Sequence, residues 1–493
     1  MPRLLIPCIF FAGLQGMVGY APSLAQSSSL AQSLGAVELP PLPPIETAQL
    51  NNRAEPRTTQ PSVVLVQAAS AAPVTLLDVI RLAKDSDPKF RGALADSRAS
   101  EFVLDQARAG FLPTIRADFE NTDSRQQILS SSNPIFGSGF STFGTDNHTI
   151  SITQPIFRLD LIERLEQARA IVRQAQYTRL AAEQDLLQRS ATAYLAVLAA
   201  QDSLDLGRSE KDSLRRQLDL AEGRLKGGLG TVTNLYDVSA RYTVAQAREI
   251  EAENKLADAK QALREITNAN AEKLQRLRDT PQLVLPDPVD VGQWVAKAID
   301  QNLPLRAKSE GVNVALQEVQ RQRAGHVPTL NLVANRNDRK AGSTLFGGGS
   351  HVLTTEMTLR LSIPVFEGGL TSAVTAEAAQ RYQKSMEERE LEMRSVERQA
   401  RAAFQAVVSG VSLVQALQQS VRSQQSAFEA RELGARTGVY TQLQVLDAQR
   451  ELFLVRRDYA QARYDYLLNT LKLKQVAGML SEQDLGAIHA ALE

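Results

Sequence analysis

The chain has 493 residues, of which 43% are hydrophobic and 5% are aromatic, and its 55 basic and 55 acidic groups give a formal net charge of zero. This balance argues against a nucleic-acid-binding protein and against a polybasic protein of the membrane surface. The one cysteine, Cys8, lies in the N-terminal apolar segment, so a mature chain without that segment has no disulfide and no cysteine-based metal site.

The N-terminus has the features of a secretory signal. Arg3 precedes an apolar run, and the small residues Ser23 and Ala25 suit cleavage after residue 25. Residues 26–74 are rich in Ser, Ala, Gln and Pro and are predicted to form an extended or disordered leader. No run of 18 apolar residues follows the signal, so no transmembrane helix is expected, and entry into a membrane would require a closed β-barrel.

Residues 75–268 are predicted to form a first repeat that contains three helices. The first covers 75–110 and is expected to break or kink at Asp87-Pro88. The second is a long helix over 158–226, and the third covers 231–268. A proline-containing connector over residues 269–289 separates this repeat from the next.

Residues 290–478 repeat the same order, and residues 479–493 form a C-terminal tail. Helices are predicted over 289–325, 369–436 and 441–476. The sequence Gly110 to Thr114 matches Gly325 to Thr329 at an offset of 215, and a second motif, Pro-aliphatic-Phe, recurs at an offset of 209. Such matches in a constant order indicate an internal duplication.

In both repeats, two stretches carry an apolar residue at every second position, which predicts strands with one apolar face. The strands are predicted at 114–120, 149–153, 330–335 and 357–363, joined as hairpins through loops at 124–147 and 338–351.

The long helix 369–436 carries a seam of small residues, mainly Ala, Val and Gly, spaced alternately three and four apart over 393–421. This spacing is typical of a helix packed along its length against close neighbours. At 1.5 Å per residue each long helix would span about 100 Å. The shorter helices match this length in pairs, and we pair 231–268 with 290–325 and 76–110 with 441–476, which gives four helical columns per chain.

Four strands cannot close a bacterial barrel, whose minimum is about eight strands. Two chains would give eight strands with a filled interior, whereas three chains give twelve and leave a channel. The polar face of the strands suits a wet lumen and contains Arg116, Asp118, Glu120, Asn331, Asn335 and Arg360. The predicted fold class is therefore mainly α with membrane β-hairpins: a long antiparallel helical α-barrel plus four strands per chain in a trimeric 12-stranded β-barrel.

The hairpins are flanked by Phe111-Leu112-Pro113-Thr114, Val327-Pro328-Thr329-Leu330, Gln154-Pro155-Ile156-Phe157 and Ile363-Pro364-Val365-Phe366. With these duplicated motifs, the chain from about residue 75 to 478 resembles the TolC family of outer-membrane efflux and secretion channels. The resemblance implies a homotrimer in the outer membrane of a Gram-negative bacterium, with its barrel in lipid and its helical tunnel in the periplasm. It also implies a periplasmic adaptor protein and an inner-membrane ABC or RND transporter as partners.

By the same resemblance, the two turns between long and short helices are the periplasmic tips, where the tunnel closes and the adaptor docks. Their residues are Gly227, Gly228, Gly230, Thr231, Gly438 and Thr441. The family's gating acid corresponds to Asp447, with Gln444 one turn earlier in place of a second acid and Tyr440 in place of a basic residue. An alternative is that Thr441 and Gln444 form a helix-capping box and that Asp447 only supplies a favourable charge near the helix N-terminus.

The sequence does not support an enzyme, a cofactor or a metal site. It has four His residues, no His-Glu-x-x-His motif, and a Gly347-Gly348-Gly349 run that lacks the Lys of a phosphate loop. Type I protein secretion is the predicted role, the alternative is the outer-membrane component of an RND-type multidrug efflux pump, and a structural coiled-coil protein is a distant third.

Overall fold

The computed structural model describes residues 74–130, 139–270, 273–278, 283–343, 348–489 and 492. The predicted signal and nearly all of the predicted leader lie outside this part of the chain. The described helices are α1 (Leu76–Ser86), α2 (Pro88–Ala109), α3 (Leu159–Lys226), α4 (Val232–Thr267), α5 (Val291–Gln301), α6 (Leu303–Arg323), α7 (Leu370–Arg436), α8 (Gln442–Val476) and α9 (Glu482–His489). The described strands are β1 (Thr114–Ile128), β2 (Gly139–Phe157), β3 (Thr329–Ala341) and β4 (Ser350–Ser362).

The first predicted helix breaks where expected. Thr75 caps α1 in a capping box with Asp78, and Asp87 separates α1 from α2 while its side chain accepts a hydrogen bond from the backbone N–H of Phe90 (2.9 Å). Pro88 occupies the first turn of α2. Backbone N–H groups in the first turn have no acceptor within the helix, so a proline, which lacks this N–H, loses no hydrogen bond there.

The single helix predicted over 289–325 is wrong, because α5 and α6 are separated at Asn302. Pro304 lies in the first turn of α6, and the Asn302 side chain accepts from the backbone N–H of Leu305 (3.0 Å). Asn302 stands 215 residues after Asp87, the offset of the neighbouring hairpin motifs. The duplicated chain thus uses the same capping device twice.

The long helices α3 and α7 run from the hairpin end, here called the upper end, to the turns at the lower end. The predicted pairing of the short helices into columns is wrong. Asn302 at the start of α6 donates to the carbonyl of Val476 at the end of α8 (2.9 Å), and Ser86 at the end of α1 donates to the carbonyl of Ile266 in α4 (3.1 Å). The columns are therefore α2 above α4 and α6 above α8. Both pairings of the short helices give columns of nearly the same total length, so helix lengths alone could not distinguish the two pairings.

The small-residue seam of α7 is buried as predicted. Val396, Ala400 and Val407 are each 1% exposed, against the neighbouring helices. Contrary to the sequence expectation, α7 also contains one 18-residue window that is apolar enough to span a membrane by length and composition. A third of that window is buried inside the protein.

Gly410 belongs to this seam and lies against Tyr466 of α8. A Cβ added at Gly410 would lie 3.7 Å from the Tyr466 side chain, which is ordinary van der Waals contact. We expect Gly410→Ala to be neutral or slightly stabilising, and Gly410→Leu to overpack the α7–α8 contact at a cost of about 1 to 3 kcal/mol. Thermal dissociation of the purified protein checks this. Equal melting temperatures for Gly410→Ala and Gly410→Leu would contradict the close packing of Gly410 against Tyr466.

The four strands form one antiparallel sheet in the order β1-β2-β3-β4. The predicted loops are shorter than expected because β1 pairs with β2 from Thr114–Thr153 to Ile128–Gly139, and β3 with β4 from Thr329–Ser362 to Ala341–Ser350. The Ser, Thr, Asn and Gly residues that suggested loops are paired here, since cross-strand backbone hydrogen bonds do not depend on side-chain polarity.

The largest core lies at mid-height, where α1, α3, α7 and α8 meet. The predicted C-terminal tail contains α9, whose Leu485 is fully buried in this core. Lys84 of α1 forms ion pairs with Glu183 of α3 and Glu482 of α9. The tail therefore anchors the middle of the helical body.

Candidate channel and tip sites

The sheet has one polar and one apolar face. In an antiparallel sheet, residues that stand directly opposite each other share a face. Arg116 pairs with Ser151, which pairs with Asn335, and Asn331 pairs with Arg360. By this register, the six predicted lumen residues all lie on one face: Arg116, Asp118, Glu120, Asn331, Asn335 and Arg360.

The opposite face is mainly apolar and exposed, although the register also places His148, Arg336 and Asp338 on it. One row across it contains Ile115, Ile152, Ala334 and Met357. Other exposed members of this face include Phe119 (76%), Leu353 (54%), Leu359 (64%) and Leu361 (60%). A soluble monomer rarely exposes an apolar surface of this extent. From residue 353 to residue 361 the strand spans about 27 Å, which is close to the apolar band of an outer-membrane barrel.

The two tip turns are built alike. Gly228 and Gly438 have φ values of +72° and +81°, a left-handed conformation that ends α3 and α7. The backbone N–H of Leu229 donates to the carbonyl of Arg224 (2.8 Å), and that of Val439 to the carbonyl of Gly434 (2.8 Å).

The residues around these glycines start the returning helices. A Cβ on Gly230 would lie 3.0 Å from the backbone nitrogen of Leu225, so the turn leaves little room there. Thr231 caps α4 through the N–H of Asn234 (3.3 Å), and Thr441 caps α8 through that of Gln444 (3.3 Å). Gly227 is the C-cap residue of α3.

The three residues predicted for the gate have different surroundings. Gln444 completes the capping box, because its side chain accepts a hydrogen bond from the backbone N–H of Thr441 (2.9 Å). The Tyr440 ring lies over Gly434, where an added Cβ would lie 2.5 Å from it. Asp447 lies beyond the first turn of α8 and forms an ion pair with Arg241 of α4 (2.8 Å).

A family model described as outer membrane efflux protein matches residues 79–269 and 294–479. The chain belongs to this family. TolC of Vibrio cholerae is 30% identical over 424 residues, which cover 85% of this chain and 94% of that protein. The alkaline protease secretion protein AprF of Pseudomonas aeruginosa is 28% identical over 87% of this chain and 89% of its own length. The Campylobacter jejuni CmeC outer membrane channel has the same fold, with a TM-score of 0.73 at 12% identity over 85% of this chain and 90% of that chain.

Family membership confirms the predicted location and class. This efflux-family chain is an outer-membrane channel protein of a Gram-negative bacterium that extends into the periplasm, and it is a transport channel, not an enzyme. Its sheet and helical body correspond to the β-barrel and helical barrel of the solved channels. Among the described residues, no group of three His, Cys, Asp or Glu side chains is placed to hold a metal ion.

The sequence does not predict two contacts near the channel tip. One is Arg241, the partner of Asp447, and the other is an amide pair in which Gln217 of α3 donates to Gln449 of α8. Both join the first repeat to the second across neighbouring helices. Helical periodicity shows which residues share a face of one helix but not which helix lies beside that face, so the sequence has no signal for either pair.

Two partly buried acidic groups connect the channel helices above the tip. Asp202 of α3 accepts a hydrogen bond from the Tyr464 hydroxyl (2.7 Å), and burial followed by the charge of Asp202 raises the pKa of Tyr464. Burial also raises the pKa of Glu210 in α3, although the charges of Arg248 and Arg457 oppose that effect. The first contact fixes α8 to α3, and the second places a carboxyl group between α4 and α8.

Proposed function

We propose that three copies of this chain form the exit duct of a tripartite export system. The observation that carries this proposal is the sheet, which has a polar face, an exposed apolar face and too few strands to close by itself. Three sheets give twelve strands, enough for an open barrel. The long helices would continue the duct toward a periplasmic adaptor and an inner-membrane transporter.

We also propose that the exported substrate is a protein and that the transporter is of the ABC type. Support comes from AprF, a protein whose name assigns it to alkaline protease secretion and which matches nearly the whole length of this chain. The second candidate is drug efflux with an RND transporter, and its support is that the family description names efflux. In-cell cross-linking of the affinity-tagged channel, followed by identification of the inner-membrane protein that co-purifies, separates them. An RND partner would contradict protein secretion.

The two tip turns are our candidates for the adaptor-docking surface, and Asp447 for a gate residue. Their support is the shared geometry of the turns and the Arg241–Asp447 ion pair, which joins α4 to α8 next to the tip. Gln444 acts in this proposal by holding the start of α8, and Tyr440 by packing on the turn. The barrel lumen is assigned to the polar face of the sheet.

The topology makes a prediction about surface access. An epitope inserted after Leu129, beyond β1, should be reachable by antibody on intact cells because it would lie outside the barrel. A matched insertion after Leu229 in the tip should be reachable only after the outer membrane is opened. Leu129 and Leu229 are 80% and 85% exposed, so neither insertion disturbs a core. Labelling of the tip insertion on intact cells would contradict this orientation.

A further inference from the structure

A polar patch interrupts the apolar face of the sheet near the hairpin loops. Arg336, Asp338 and Lys340 of β3 alternate with residues of the polar face, so all three lie on the apolar face. Their cross-strand neighbours on this face include polar residues of β2 and β4. Together these residues, here called the outer patch, are Asp146, His148, Arg336, Asp338, Lys340 and His351.

The two acidic groups of the outer patch already have partners. A ring nitrogen of His351 lies 2.6 Å from Oδ1 of Asp338. Asp146 accepts a hydrogen bond from the side-chain amide of Asn121 (2.7 Å). Neither carboxylate is therefore paired with a cationic side chain of β3.

Arg336 and Lys340 carry the unpaired charges of the outer patch. Both side chains are exposed, and neither forms a hydrogen bond or an ion pair within the part of the chain that the structure describes. An Arg has five N–H donors and a Lys has three, and a cation that faces lipid without an anionic partner is unfavourable. Long basic side chains at the edge of a membrane extend to the headgroups. These two cations are therefore free to bind an anion from outside the chain.

The position of the cations along the strands indicates which part of the membrane they face. Leu353 is the last exposed apolar residue on this face of β4 before the hairpin loop. Arg336 pairs with Thr355, two residues inside Leu353. Lys340 pairs with His351, two residues beyond it. The outer patch thus lies at the loop end of the apolar band, and because the helical body extends into the periplasm from the other end, it faces the outer leaflet.

The outer leaflet of a Gram-negative outer membrane contains an anion of suitable shape. Its main lipid is lipopolysaccharide, whose lipid A anchor is a glucosamine disaccharide with a phosphate group at each end. Arg336 and Lys340 are four residues apart on one strand, so their Cα atoms are separated by about 13 Å, comparable to the length of a phosphorylated disaccharide. The guanidinium fork of an Arg matches a phosphate group, and a Lys binds it as a point charge.

We propose that the outer patch binds the lipid A moiety of lipopolysaccharide, with Arg336 on one phosphate group and Lys340 on the other. His148 lies in the row between the two cations, where its ring can donate to a sugar hydroxyl, and the edge of that ring packs against Phe119 (5.3 Å). The exposed side chains of Phe119 and Leu353 contact the acyl chains. The proposal rests on the location in the outer membrane and not on the exported substrate or the transporter.

The test measures lipid binding to the full-length protein purified in detergent, by native mass spectrometry. Diphosphoryl lipid A is the probe, and phosphatidylglycerol, an anionic lipid with a single phosphate group, is the comparison. Lipid A should bind saturably, and phosphatidylglycerol should bind roughly tenfold more weakly or not at all.

A double variant and a matched control locate the site. Arg336→Gln, Lys340→Gln should weaken lipid A binding roughly tenfold or more, because it removes both phosphate contacts. The control is Arg116→Gln, Arg339→Gln, which changes the net charge equally on the polar face of the same sheet and should bind like the native protein. Arg339 is the sequence neighbour of Lys340, so this pair compares the two faces at one height.

A further variant should strengthen binding, which a folding defect cannot do. Asp338 lies between Arg336 and Lys340, and its charge repels a phosphate group. Asp338→Asn keeps the size of the side chain and should strengthen lipid A binding about two- to fivefold, the range expected for one exposed charge pair.

Four results would overturn the proposal: no saturable binding of lipid A, equal affinity for phosphatidylglycerol, an equal effect of the double variant and its control, or unchanged or weaker binding by Asp338→Asn. The purified protein is tested without a transporter, so failure of the proposed export role would leave these results unchanged.

Discussion

Replacing Gly478 by alanine is expected to destabilise the helical body severely. Gly478 ends α8 with a φ of +71°, and an added Cβ would lie 2.1 Å from the backbone carbonyl oxygen of Gln301. That oxygen belongs to the end of α5 and cannot rotate away as a side chain can. The left-handed conformation costs about 1 to 2 kcal/mol for a residue other than glycine, and the clash adds about 1 to 3 kcal/mol as overpacking.

Gly438 provides the matched control for this change. It follows the helix α7 and has a positive φ like Gly478, but no atom lies within 4 Å of an added Cβ. Gly438→Ala should therefore show only the conformational cost, about 1 to 2 kcal/mol. Thermal unfolding of the two purified variants, followed by circular dichroism, measures the difference. Equal melting temperatures would mean that the α8 and α5 ends do not meet at Gly478.

Removing the Asp447 charge is expected to favour an open tip. The Asp447 and Arg241 side chains are 45% and 26% exposed, so solvent screening limits each ion pair to about 0.2 to 1 kcal/mol. Three such pairs in a trimer would sum to roughly 2 kcal/mol, which corresponds to a roughly thirtyfold change in the ratio of open to closed channels. Asp447→Asn should therefore increase the open fraction in planar bilayers.

Two further variants identify the cause of that change. Arg241→Gln should have a similar effect, and exchanging the two charges in Arg241→Asp, Asp447→Arg should restore part of the closed fraction. Asp458→Asn serves as the control, since Asp458 lies on the same helix and pairs only with its neighbour Arg457 among the described residues. If Asp447→Asn conducts like the native channel, or if Asp458→Asn opens it equally, the ion pair does not hold the tip.

Much of the secondary structure could be predicted from the sequence. The glycines of the turns, the caps at Thr75 and Thr441 and the period of the long helices are local features, and local features specify secondary structure through a few neighbouring residues. The duplication even contained the break at Asn302, because the same offset relates it to Asp87. Pro304 stands one position later relative to its cap than Pro88 does, so the two prolines do not coincide when the repeats are aligned at this offset.

The sequence by itself determined that this protein has two copies of a helix-hairpin-long helix-helix unit and strands with one apolar face. Only the tertiary structure decided which short helix stands above which, because the two possible pairings have nearly equal lengths and differ only in lateral contacts such as Asn302 with Val476. The same holds for Arg241 with Asp447. These two side chains lie 206 residues apart in the chain, and the backbone pattern of one helix does not specify the residues of its neighbour.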